Sequence, residues 1–208
     1  MIDEKSNLTT IDALIQRKQP FAVYRVPGEK YPRLLTEDVG AVRLIFDLKE
    51  LNGQRGFVIA PFRPNETCPI LLIQSNGPGQ PLLLADDADA VPRDIPSTDY
   101  PSCSEEYAEC FRTFISALRD KTFEKLVLSR KLTIGKPTAF SPSLAFRAAC
   151  QRYIHSYIYL CYTPQTGIWL GSTPEIILSG EKDDWHTVAL AGTQPLQDGK
   201  LPQVWDEK

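Results

Sequence analysis

Histidine is almost missing from this chain, and with it the usual routes to a His-rich metal site or a His-centred catalytic triad. Only His155 and His186 occur in 208 residues. One lies just before a predicted strand and the other follows Trp185 in a second strand, so both read as structural or surface side chains. Cysteine is also unhelpful as a framework. Cys68, Cys103, Cys110, Cys150 and Cys161 are odd in number, and no two have C-x-x-C spacing, which argues against a disulfide scaffold or a zinc site. Cys110, on the apolar face of a predicted helix, and Cys161, in a predicted strand, are expected to act as small buried hydrophobes.

Long apolar runs are absent too. Nothing approaches the roughly 18 residues that a membrane span needs. The opening Met1-Ile-Asp-Glu-Lys5 has neither the basic nor the apolar region of a signal peptide, so the cytoplasm is the expected compartment. A net charge of −3 provides no basic field, so neither nucleic acid nor a membrane is an expected partner. Neither G-x-x-x-x-G-K-[ST] nor G-x-G-x-x-G occurs, which removes the common nucleotide-binding loops. The acidic group Asp86, Asp87 and Asp89 lacks the flanking Gly and Glu of a calcium loop and reads as solvated.

What is present is an ordinary globular composition, 42% apolar and 24% charged. Thr10 is a candidate cap for a short helix over residues 11–18, with Leu14 and Ile15 inward. Strands are expected at 21–26, 56–60 and 69–74, with a turn at Asn76-Gly-Pro-Gly79 and apolar character resuming at 81–84. Three prolines within residues 92–102 mark the best connector. Ser102-Cys-Ser-Glu105 resembles a capping box. Tyr107, Phe111, Phe114, Ile115 and Leu118 follow at helical spacing, predicting an amphipathic helix over 104–120 with a core-facing stripe.

Lys125 to Ile134 alternates apolar and polar residues and predicts a strand with one mixed face, able to look into a cleft. Ser141-Pro142 predicts a helix start. Residues 157–163 and 168–172 flank a predicted four-residue hairpin loop, 164–167. Strands at 176–179 and 185–190 are expected to flank a further turn. The pattern does not alternate as βαβ units, so the predicted class is α+β, with mainly antiparallel sheets packed against helices. Two regions are expected: a strand-rich N-terminal region over 1–100, and the N-terminal part of a catalytic domain over 101–208.

The chemistry concentrates in three segments: Lys125-Leu-Val-Leu-Ser-Arg130, Gly171-Ser-Thr-Pro-Glu175 and Ala189-Leu-Ala-Gly-Thr193. A lysine serves as a base when burial or a neighbouring cation lowers its pKa, and a glutamate serves as an acid when burial raises its own. Partial burial of Lys125 and Glu175 would make them such a pair; a surface lysine and a turn carboxylate would share the same spacing. Gly192 and Gly171 are read as places where a backbone approaches closely, or as simple turns.

In order and spacing these three segments resemble the chorismate-using enzymes, over about half the chain. Within that family, the lysine and the Ala-Leu-Ala-Gly-Thr segment resemble the branch that adds water rather than ammonia. The resemblance implies an isochorismate synthase. Lys125 would deprotonate a water attacking C2 of chorismate, and Glu175 would protonate the departing C4 hydroxyl. Gly192 and Thr193 would contact the substrate. The resemblance further implies Mg²⁺, with metal-binding glutamates beyond Lys208. On that basis the chain looks like the N-terminal portion of a longer enzyme. It is expected to have little or no activity alone and to self-associate through exposed apolar surface. A salicylate synthase, which goes on to eliminate pyruvate, and a non-catalytic chorismate-binding or assembly module remain as alternatives.

Overall fold

The computed structural model describes residues 4–36, 42–83, 105–136, 138 and 140–188. The chain divides into two compact units, Met1–Asp86 with Ser141–Lys208, and Asp87–Phe140. The predicted connector and capping box, the acidic group at 86–89 and the Ala189–Thr193 segment lie outside the described residues.

The first unit is layered around one five-stranded sheet. Its strands are β1 (Phe21–Arg25), β2 (Arg33–Thr36), β6 (Gln80–Pro81), β7 (Tyr157–Thr163) and β8 (Gly167–Thr173), in the order β6-β2-β1-β7-β8. All pairings are antiparallel. The central strand β1 thus pairs early sequence with late, Phe21 opposite Tyr162 and Arg25 opposite Ile158.

Alternation along β1 and β7 divides the side chains between two faces. Phe21, Val23, Ile158 and Leu160 pack under two helices, α1 (Glu4–Gln16) and α3 (Pro142–Arg152), against Ile11, Leu14, Phe146 and Cys150. Ala22 and Cys161 face the other way, onto a three-stranded sheet of β3 (Arg43–Ile45), β4 (Gly56–Ile59) and β5 (Ile70–Gln74). β5 lies between β3 and β4. Leu71 and Ile73 face the larger sheet, whereas Ile70 and Leu72 pack with Ile45 and Leu51 of a 3-10 turn on the opposite side. A strand covered on both faces needs no polar alternation, which accounts for the unbroken Ile-Leu-Leu-Ile run.

α3 is pinned at both ends. At its start the Ser141 hydroxyl accepts from the Leu144 N–H at 3.3 Å, with Pro142 at the first helical position. The hydroxyls of Ser141 and Ser143 donate to the Asp12 carboxylate of α1 at 3.2 and 2.7 Å. At its end the carbonyls lack intrahelical partners and carry the negative end of the helix dipole. The guanidinium of Arg25, 6% exposed, donates there to the carbonyls of Cys150, Tyr153 and Ser156.

Several expectations need correction. α1 begins at Glu4, so Thr10 lies inside the helix and does not cap it; no Gly or Pro between residues 4 and 10 stops the helix from extending. The β7–β8 loop has three residues rather than four, because Gly167 adopts φ +72° and pairs with Thr163. A left-handed glycine directly after the loop lets β8 begin there. The last hairpin is displaced from the predicted strands at 176–179 and 185–190, with β9 at Ser179–Glu181 and β10 at Asp184–His186. His155 and His186 are exposed.

Cys161 is buried as expected, and burial pushes its thiol and that of Cys150 up to about 12. Cys110 is exposed. In the second unit α2 (Glu105–Arg119) forms as predicted but has no buried residue, so its stripe covers no core among the described residues. No described helix is long and apolar enough to cross a membrane.

Arg25→Ala is expected to destabilise the first unit by about 3 kcal/mol, the loss of charge-assisted bonds to buried carbonyls. Chemical denaturation of the wild type and the variant measures it.

Candidate active site

Glu175 is positioned by the β7–β8 hairpin. Register places Gly171 opposite Tyr159, and the Tyr159 ring occupies the space a Cβ at position 171 would need. An aromatic ring thereby covers a glycine on the outermost strand of the sheet. Tyr159 belongs to an aromatic group with Tyr157, Tyr24 and Phe57, with neighbouring ring centroids 5.8 to 6.4 Å apart. Burial raises the pKa of Tyr159, with a further contribution from Cys161. It raises that of Tyr157 further, with Tyr24 next among the causes. These phenols stay neutral across the physiological range and serve as packing.

Beyond Thr173 the strand ends and Pro174 leads into Glu175. The Glu175 N–H donates to the Thr173 hydroxyl oxygen at 3.2 Å. After Glu175, the Val188 N–H donates to the Ile176 carbonyl at 3.0 Å, and the Thr187 hydroxyl donates to the Ile177 carbonyl at 2.6 Å. The residues that directly follow the second motif are therefore bonded to those that directly precede the third. Gly192 and Thr193 themselves lie outside the described residues.

Lys125 belongs to the second unit. The segment from Lys125 to Ile134 forms no strand and pairs with none among the described residues. An alternating sequence makes a strand only when an edge bonds its backbone, and among the described residues it pairs with none. Its apolar face is covered only in part, with Leu126 and Leu128 half-buried and Leu132 and Ile134 exposed, and Val127 on the other face is 79% exposed. Arg130 turns back over the Tyr107 ring of α2, 5.8 Å from its centroid. Lys125 and Glu175 are both exposed, so neither has the partial burial that an acid/base pair would use.

Among the described residues no group of three His, Cys, Asp or Glu side chains is placed to hold a metal ion. The Mg²⁺ implied by the resemblance finds no ligand set there, and no chemical step is derived through it.

Sequence reasoning overlooked Tyr159, Thr173 and Thr187. Tyr159 was accessible from the hairpin: pairing Gly167 with Thr163 places Gly171 opposite it. Thr173 carried a local signal, a hydroxyl two residues before the amide it bonds. Thr187 carried none, since its partner is ten residues away.

Residues 85–202 match the family described as chorismate binding enzyme. The match covers more than half of the chain and includes all three motifs, and the chain belongs to this family. Chorismate is accordingly the small-molecule substrate that the family implies. No curated protein matches the chain significantly, and no solved structure does.

Gly171→Ala is expected to force the Tyr159 ring aside and destabilise the hairpin by about 1–3 kcal/mol, the usual cost of overpacking. Thermal unfolding checks this, and a Gly171→Ala chain as stable as the wild type would contradict the packing described.

Proposed function

We propose that the protein is an isochorismate synthase to which this chain contributes the base and the acid. The observation that supports this most directly is a lysine at the head of Lys125-Leu-Val-Leu-Ser-Arg130, inside the region matched to the chorismate-binding family. Amine Lys125 takes a proton from water. The resulting hydroxide bonds to C2 of chorismate, the C1=C2 and C5=C6 double bonds shift to C1=C6 and C4=C5, and the C4–O bond breaks as Glu175 supplies a proton to the leaving hydroxyl. Water enters and water leaves, so the product is an isomer that retains its enolpyruvyl ether. Gly192 and Thr193 contact the substrate in this reading, and Mg²⁺ belongs to the complete site.

A chorismate-binding module without catalysis is the second reading, favoured by the exposure of Lys125 and Glu175. A salicylate synthase would use the same two residues and then release pyruvate.

Chorismate added to the isotope-labelled chain is expected to shift the amide resonances of Lys125 and Glu175. With both side chains exposed and no metal-ligand group among the described residues, turnover by the 208-residue chain should be slight even with Mg²⁺. What product forms should be isochorismate, and Lys125→Ala or Glu175→Gln should lower it by roughly 10²- to 10⁴-fold, the usual worth of a general base or acid. Nitrogen taken up from ammonium would sink the water-adding assignment, and pyruvate release would redirect it to salicylate formation. Chorismate shifts confined to other residues would exclude this site.

The exposed apolar side chains support a further proposal about partners. Val127 and Ile134 in one unit, and Trp169, Ile177 and Leu178 in the other, are large apolar side chains left exposed. Light scattering is expected to give a mass above the 23.4 kDa of one chain, with binding of a dye specific for apolar surface. A compact monomer that binds no dye would count against it.

A further inference from the structure

The loop that carries Glu175 has almost nothing to hold it except hydroxyl groups. Residues 174–178 belong to no strand, and Glu175, Ile177 and Leu178 are exposed, Ile177 by 85%. Burial therefore does not fix the carboxyl. Four hydrogen bonds meet this short stretch, and three of them involve threonine hydroxyls. Before the glutamate, the Thr173 hydroxyl accepts from the Glu175 N–H at 3.2 Å and lies 3.5 Å from the Glu175 carbonyl oxygen. After it, the Thr187 hydroxyl donates to the Ile177 carbonyl at 2.6 Å, beside the bond from the Val188 N–H to the Ile176 carbonyl.

We infer that Thr173 and Thr187 are positioning residues for Glu175, holding its backbone from either side so that its carboxyl faces one direction. Threonine suits this task because branching at Cβ restricts χ1 and fixes where the hydroxyl points. Pro174 between Thr173 and Glu175 removes one further backbone freedom. The anchor on the strand side is firm, since Thr173 pairs with Tyr157 and follows the Tyr159-covered Gly171. The anchor on the other side leads directly into Ala189 and the third motif. Precision matters in such a position: displacing a reacting group by about 1 Å can cost about 10²-fold in rate.

The inference rests on the reading of Glu175 as the proton donor, so two readouts are needed. Thr187 is exposed and Thr173 is half-buried, neither belongs to a core cluster, and retention of the wild-type melting temperature verifies that replacing them spares the core. The first readout is the NMR order parameter of the Glu175 amide. It is expected near the rigid value of about 0.85 in the wild type, and to fall toward about 0.6 in Thr173→Val with Thr187→Val. Thr173→Ser with Thr187→Ser should restore most of it, because the hydroxyls remain. The second is the chorismate-induced shift at Glu175, expected to shrink in the valine variant and return in the serine one.

An unchanged order parameter in the valine variant overturns the inference. So does a loss of order that leaves the chorismate response intact, since the clamp would then position nothing that matters. A wild-type chain whose Glu175 ignores chorismate overturns the positioning role through the functional reading. The order parameter then shows that the clamp itself exists and that the acid assignment was the failed step.

Discussion

The guanidinium of Arg25 ties the middle strand of the main sheet to the end of α3, and the geometry of the site follows from that junction. A buried cation would ordinarily be expensive. Here it meets the carbonyls that a helix terminus leaves unpaired, those of Cys150, Tyr153 and Ser156, so one group's requirement answers the other's. The bond partners bracket the turn between α3 and β7. Fixing that turn against β1 sets the register of β7, and β7 sets β8 through a three-residue loop that permits little slippage. Gly171 then falls under Tyr159, Thr173 ends the strand, and Glu175 emerges where the ladder stops. The carboxyl is placed through the register of three strands rather than by packing around it.

The same sheet shows where packing stops. β1 and β7 are covered on both faces, by helices on one side and by β3, β5 and β4 on the other. β8 is the outermost strand in the described order, and Ile168, Trp169 and Leu170 are exposed along it. Such an edge ordinarily carries a charge, a proline or a bulge that discourages pairing; from Gly167 to Thr173 there is none. The second unit tells a matching story from its own residues. Its helix has a well-formed apolar stripe that buries nothing, and its alternating segment has no ladder. Helix preference is satisfied in the second unit and strand preference is not, and the partners that would use either are lacking among the described residues.

That distinction explains how far the sequence could be read. The helices at 105–119 and 142–152, the strands at 21–25 and 70–74 and the β7–β8 hairpin were legible because each is specified within a short window by periodicity, a capping serine or turn residues. Lys125–Ile134 has a strand's alternation as clear as any of these, yet forms none, because a strand is completed by its neighbour and not by its own pattern. Cys110 and the stripe of α2 were misjudged for the same reason: an apolar face predicts a desire for burial and does not supply the surface that buries it. Arg25 shows the converse. Nothing local marks it as a buried clamp, since its partners are more than a hundred residues away. The three motifs were legible as a family pattern, and the match over residues 85–202 makes the family secure.

Glu175 sits where two ways of fixing a catalytic carboxyl diverge. Burial fixes a side chain by exclusion and also raises the pKa of a carboxyl, which is what a proton donor needs at neutral pH. A loop clamped by hydroxyls fixes only the backbone and leaves the electrostatic environment to whatever covers the site. In the described residues only the second device is present. Orientation is supplied by Thr173, Thr187 and the Val188 N–H, while the apolar enclosure that would tune an acid is not. In the proposed acid role, a surface covering Glu175 would supply that enclosure. The bare Ile177 and Leu178 beside it are the side chains such a surface would bury. Under the proposed role of Glu175, the clamp and the exposed apolar residues are complementary: hydroxyls direct the loop, and covering Ile177 and Leu178 would supply the enclosure.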